Sequence, residues 1–339
     1  MTNQVIQSPM QYFQLRFSTA IHLSKILSSL CRNAVFAVKT ESGALDGVIT
    51  GCSREEDFYL SISTDRTLFI CCEKRKEMSF FGCLDNHFNE PTIILRNYSN
   101  DFSNGLAGVG SKVLSGFSNK IPSRYITLPS KSRLVGYGCP TESIERYMKA
   151  RATNYTEIAN EVNDILPPVA TLNRFRTFIK TVLRHDVHDG SSSHYSSEMT
   201  KESLSKCFSC SARIKKIPLK VTQRHVLCKD LVFLGYANTD KSISLEMVIQ
   251  KLHTTRASLS QGCKEATGIG PMEMLRFIRL DHVYQALSDS AVRQSLNLQS
   301  VEMVRKHYGF MSRGNFAGIY KTYFEESPRD TLIRSKAKQ

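Results

Sequence analysis

The stretch HYGFMSRGNFAGIYKTYF, residues 307–324, decides how the C-terminal part of the chain folds. Phe316, Ile319, Tyr320, Tyr323 and Phe324 recur at i, i+3, i+4, i+7 and i+8, a spacing that lines one face of an α-helix. The opposite face carries Arg313, Gly314, Asn315, Gly318 and Lys321, which are basic, polar or without a side chain. Ser312 stands where the helix starts, and its hydroxyl can accept from a backbone N–H of the first turn. Gly309 provides a turn residue that takes positive φ without a Cβ penalty. Just upstream, SVEMVRKH (300–307) sets Val301 and Val304 one turn apart. Two short helices around a glycine turn, the second with a basic outer face, is the grammar of a helix-turn-helix unit.

The same grammar occurs once more. In SLEMVIQKLHTTRASLSQGCKEATGIGP (244–271), a shift of 57 matches Leu259 to Phe316, Cys263 to Tyr320, Lys264 to Lys321 and Pro271 to Pro328. In the preceding helix a shift of 56 matches Ser244 to Ser300, Val248 to Val304 and His253 to Gly309. The one-residue difference falls in the turn. Two units are expected, at about 244–267 and 300–324, joined by the helix of PMEMLRFIRLDHVYQAL, in which Leu275, Ile278, Val283, Ala286 and Leu287 fall near helical spacing.

KEATGIGPMEMLRFIRL (264–280) and HYGFMSRGNFAGIYKTYFEESP (307–328) resemble the DNA-binding domain of the AraC/XylS family of bacterial transcription regulators. The resemblance places that domain at 222–335. It implies an α+β chain: an all-α double helix-turn-helix domain behind a variable, β-rich and often cupin-like N-terminal domain that senses a small molecule or dimerises. It also implies double-stranded DNA as partner, contact with RNA polymerase and an activator's role. The outer positions that match the family's reading positions are Arg256, Ala257, Ser260 and Gln261 in the first unit and Arg313, Gly314, Asn315 and Gly318 in the second. Lys264, Ser312 and Lys321 are better suited to phosphates than to base edges. Family members often carry a long basic side chain at the positions of Gln261 and Gly318. The second helix is therefore expected to read few bases and to bring its backbone close to DNA. For each of these residues a solvated surface position is the competing reading.

The N-terminal half reads differently. AVFAVKT (34–40), FYLSIST (58–64), RTLFICC (66–72), MSFFGC (78–83), TIILRNY (92–98) and SRYITLP (123–129) are short runs rich in β-branched and aromatic residues, suited to a sandwich or barrel over 34–129. Residues 141–165 and 171–186 read as helices, the second with Leu172, Phe175, Ile179 and Val182 as its apolar stripe. This first domain is expected to span 1–186. A serine-rich polar tract over 187–203 reads as an interdomain linker.

The formal net charge is +14 over 339 residues. Residues 1–170 contribute +2 (18 basic, 16 acidic), 171–228 contribute +7 (11 and 4) and 229–339 contribute +5 (16 and 11). A polyanion is the partner such asymmetry favours. No run of 18 apolar residues occurs and no basic n-region leads an apolar one at the start, so a cytoplasmic protein is expected. No phosphate loop, nucleophile elbow or HExxH motif is present, so no enzyme and no cofactor are expected; a small-molecule effector is what the family layout allows. An alternative rests on Cys207, Cys210, His225 and Cys228, whose CxxC and HxxC pairs offer a zinc site or thiol switch acting on the same DNA-binding domain.

Overall fold

The computed structural model describes residues 11–31, 33–54, 56–73, 78–85, 112–118, 123–184, 192–209, 214–218, 223–238 and 243–337. Within them the N-terminal half is built on two antiparallel sheets. The strands are β1 (Gln11–Phe17), β2 (Val35–Lys39), β3 (Gly47–Arg54), β4 (Asp57–Thr64), β5 (Leu68–Glu73), β6 (Met78–Leu84), β7 (Leu114–Ser115), β8 (Ser123–Leu128), β9 (Ser132–Pro140), β10 (Val162–Leu166) and β11 (Lys215–Pro218). Eight of them run in the order β1-β3-β4-β9-β6-β7-β10-β11, and β2-β5-β8 form the second sheet. Ile49, Leu60 and Ile62 from the first sheet and Ala37, Leu68 and Leu128 from the second share one buried cluster with helix α1 (Ala20–Cys31). This is a sandwich, as the alternating runs imply, because each sheet buries one face.

A second cluster forms on the outside of the larger sheet, under helices α2 (Thr141–Ala150), α3 (Tyr155–Glu161), α4 (Val169–Val182) and α5 (Ser192–Cys207). The expected stripe of α4 is buried there in full: Leu172, Phe175, Ile179 and Val182.

Two expectations are corrected here. The helix expected over 141–165 ends early, and Val162–Leu166 is a strand pairing with β7 and β11, since Val162 and Ile165 go inward beside buried Asn163. The linker expected over 187–203 is helix α5 from Ser192 onward, and Leu204, Cys207 and Phe208 bury themselves in the sheet's outer cluster. Serine-rich composition misled because only one face needs apolar residues. Thr200, fully buried, shares a hydrogen bond with the Tyr59 hydroxyl at 3.2 Å, and Ser197 donates to Asp57 at 2.6 Å. The sheet half thus runs past 186 to β11. The run at 92–98 and the glycines at 105, 108 and 110 lie outside the described residues.

The remaining helices make the other half: α6 (Gln223–Ala237), α7 (Leu245–Lys251), α8 (Arg256–Thr267), α9 (Pro271–Ser288), α10 (Ser290–Ser295), α11 (Val301–His307), α12 (Arg313–Phe324) and α13 (Pro328–Lys336). They surround α9, whose buried positions include Leu275, Ile278, Val283, Ala286 and Leu287. Their core also takes in Val38, Phe69, Cys71 and Tyr125 of the smaller sheet, so the two halves meet across a shared apolar seam.

Candidate nucleic-acid interface

The two expected units are present, and they repeat each other at the level of individual hydrogen bonds. Ser244 caps α7 by accepting from Met247 N, and Ser300 caps α11 by accepting from Met303 N, both at 3.2 Å. Thr255 caps α8 through Ser258 N at 3.1 Å, and Ser312 caps α12 through Asn315 N at 3.4 Å. Each recognition helix ends in a left-handed residue, Gly268 at φ 77° and Glu325 at φ 59°, and each is followed by a helix with proline at its first position. These are the residue pairs that the shifts of 56 and 57 align.

Leu259, Cys263 and Ala266 of α8 and Phe316, Tyr320 and Tyr323 of α12 are buried. Their opposite faces are bare. Arg256, Ala257, Gln261 and Lys264 are exposed and Ser260 is half-buried on α8; Ser312, Arg313, Gly314, Asn315, Gly318 and Lys321 are exposed at and along α12. The structure therefore gathers each expected set on one helix and leaves it accessible. Arg256 is paired with Glu246 at 2.9 Å, both largely exposed, a contact too weakly held to withhold the guanidinium from a phosphate or base. A Cβ added at Gly314 or Gly318 would meet nothing within 4 Å, so no packing inside the protein requires glycine there.

The turn of the second unit is braced from within. Arg305, 3% exposed, donates to the carbonyl of Phe310 and pairs with Glu302. Arg279 of α9 lies over the Phe310 ring at 5.5 Å, and burial with Arg276 nearby lowers its pKa. Met311, 81% exposed beside the Ser312 cap, is an apolar side chain at this surface that sequence reasoning missed. Its position directly before the cap was the available signal.

The metal or thiol alternative meets a different geometry. Cys207 is buried in the outer cluster of the large sheet and Cys228 in the helical core, so they do not share a site. Cys210 and the side chain of His225 lie outside the described residues. Burial raises the thiol pKa of Cys207 to about 12. The Cys228 thiol is driven up by a hydrogen bond with Cys263 together with burial. A protonated, enclosed thiol is a poor nucleophile. Among the described residues no group of three or more His, Cys, Asp or Glu side chains is placed to hold a metal ion. No described helix is long and apolar enough to cross a membrane.

No protein-family profile matches the chain. It is 35% identical over 101 residues to the XylDLEGF operon transcriptional activator 2 of Pseudomonas putida, covering 30% of this chain and 62% of that protein. The similarity supports an AraC/XylS-type regulator over that stretch. This chain spans less than two thirds of that relative's length. Among solved structures, a probable AraC family transcriptional regulator from Rhodopseudomonas palustris aligns over 32% of this chain and 97% of its own, at 24% identity and a TM-score of 0.29. ToxT from Vibrio cholerae aligns over 96% of this chain and 98% of its own, at 11% identity and a TM-score of 0.30.

Proposed function

We propose that the chain is a sequence-specific, DNA-binding transcription activator that reads a bipartite site, one box per helix-turn-helix unit. The observation carrying this reading is the repeat of caps, turns and exposed faces between α8 and α12 in one AraC/XylS domain, together with a relative described as a transcriptional activator. In the first box Arg256 and Gln261 supply base contacts, Arg to guanine and Gln to adenine, with Ala257 and Ser260 packed close and Lys264 on phosphate. In the second, Arg313 and Asn315 read bases, Ser312 and Lys321 hold phosphates, and Gly314 and Gly318 let the helix backbone come near the groove wall. Met311 offers an apolar contact to a thymine methyl.

One polypeptide carrying both units would enter successive major-groove segments about one turn, roughly 34 Å, apart. The partners of this reading are double-stranded DNA and RNA polymerase in the cytoplasm. The sheet half would hold a small-molecule effector or a second copy of the chain. Affinity of the full chain for duplex DNA should fall steeply as salt is raised, because Lys264, Lys321 and the arginines displace condensed counterions. An affinity flat between low and physiological salt would contradict the phosphate contacts.

A further inference from the structure

A buried chain of hydrogen bonds crosses the seam between the sheet half and the AraC/XylS domain. The Tyr236 hydroxyl of α6 lies 2.8 Å from the carbonyl oxygen of Ala37 on β2 and 2.5 Å from Oδ2 of Asp281 on α9. Ala37 and Asp281 are completely buried. A phenol has one proton and can donate it to only one of these two acceptors. With Asp281 ionised, the tyrosine proton goes to the carboxylate and the Ala37 carbonyl loses its donor across the seam. With Asp281 neutral, its own O–H donates to the tyrosine oxygen and Tyr236 donates to Ala37, so the chain is complete. Oδ1 of Asp281 is buried with no hydrogen-bond partner among the described residues, which a neutral carboxyl tolerates far better than a carboxylate.

What lies along this seam gives the proton its consequence. Lys39 of β2 donates to the carbonyl of Tyr323 at 2.5 Å and sits 3.9 Å from that ring's centroid. Gly43 N donates to Thr322 O at 3.0 Å, and Ala44 N to Glu325 Oε1 at 2.9 Å. Thr127 of β8 donates to Ala266 O at 2.9 Å. The smaller sheet and the loop after β2 therefore grip the last turn of both recognition helices, α8 and α12, while leaving their outer faces open. Phe36 of β2 stacks on Tyr236 with centroids 4.7 Å apart.

We propose that Asp281 is neutral in this closed arrangement and that its proton is a latch, whose loss loosens β2 from α6 and α9 and frees the ends of both recognition helices. The groups facing Asp281 are Tyr236 from α6, Lys39 from β2 and Tyr323 from α12, with His282 beside it on α9 itself. Behind Lys39 stand Asp65, Arg66 and Glu325, and Cys71 of β5 faces Tyr236. Burial pushes the Asp281 carboxyl up to about 7, against the pull of Tyr236 and Lys39. Burial likewise brings the Lys39 ammonium down to about 8, holds His282 below its usual range and drives both tyrosines well upward. Asp281 is thus the first group of this set to change state as pH rises to neutrality, and Lys39 follows at about 8. A raised carboxyl stabilises the closed seam at low pH, and that contribution is lost as pH rises through about 7.

The test is backbone hydrogen exchange of the full chain at about pH 6 and about pH 8, corrected for intrinsic rates and read by mass spectrometry. It needs no DNA, so its outcome is independent of the function proposed above. In the wild type, β2 and the last turns of α8 and α12 should open about fivefold more often at the higher pH, while β4 and β9 stay unchanged. Asp281→Asn, whose amide can donate to Tyr236 as the neutral acid does, should abolish the step and stay closed. Tyr236→Phe keeps the stack on Phe36 but removes the relay, and should be open at both pH values. Equal protection of β2 at both pH values in the wild type would overturn the latch. So would the same step in Asp281→Asn, or loosening of β4 and β9 together with β2. If neither variant folds, the wild-type comparison alone decides.

Discussion

His253 and Gly309 occupy the same place in the two units, and both turn with positive φ, 46° and 78° respectively. Each donates its backbone N–H into the short helix that precedes it: His253 N to Gln250 O, Gly309 N to Lys306 O. The backbone requirement is the same, yet only one unit meets it with glycine. Placing a residue with a Cβ in this region costs roughly 1–2 kcal/mol. His253→Gly should therefore stabilise the protein by about 1 kcal/mol after the added freedom of the unfolded chain is counted, and Gly309→Ala should destabilise it by about as much. Denaturant midpoints of the two variants check both signs.

The glycines of α12 give a crossed prediction. Because a Cβ at Gly314 or Gly318 meets nothing within 4 Å, replacement by alanine should stabilise the fold by up to about 1 kcal/mol each. The same changes should weaken binding to a two-box DNA several-fold if the helix backbone lies against the groove. Greater stability with unchanged DNA affinity would remove the close-approach role of these two residues.

Arg256 and Glu246 form an exposed pair 2.9 Å apart. Such a pair contributes little to stability, between about 0 and 1 kcal/mol. Glu246→Gln should leave the melting midpoint within error while raising DNA affinity modestly, since it removes a negative charge that faces the phosphates and frees the guanidinium. Titration at two salt concentrations distinguishes this from an effect on folding, because the gain should shrink as salt rises.

Global stability should fall as pH rises from about 4 to about 7. Asp281 is held neutral by burial to about 7 in the folded state, whereas an unfolded aspartate titrates near 3.8, so the folded chain binds the extra proton over that window. Across it each pH unit is worth roughly 1.4 kcal/mol, and the loss amounts to a few kcal/mol at most. Glu202, Glu302 and Asp330 are held low by hydrogen bonds from Arg151, Arg305 and Ser327, and act in the opposite sense at more acid pH. Urea midpoints of wild type and Asp281→Asn across the window should converge at the acid end and diverge towards neutrality.

The helical half was legible because its signals are local. Caps at Ser244, Thr255, Ser300 and Ser312, the glycine turn at 309 and the stripe from Phe316 to Phe324 each specify structure within a few residues. β1, α1 and β3 went unread because their pairing is set by distant partners, such as Leu15 opposite Ile49. α5 was hidden by its serines, of which Ser197 turns its hydroxyl to Asp57 of the sheet half. The candidate DNA-contacting residues were legible as outer positions between core positions, and all are exposed except half-buried Ser260. The seam residues were harder. Lys39 ends an apolar strand run, and Asp281 lies within one turn of the core positions Ile278 and Val283 on α9. A charge in a core stripe was the available sign, but its partner on β2 lies more than two hundred residues away in sequence.

Whether both units read DNA is tested most directly by selecting random duplex DNA with the full chain and repeating the selection with Arg313→Ala. Reading by both predicts two enriched boxes with centres about 10–11 bp apart, and loss of sequence information from one box alone in the variant. A single enriched box, unchanged by Arg313→Ala, would contradict it.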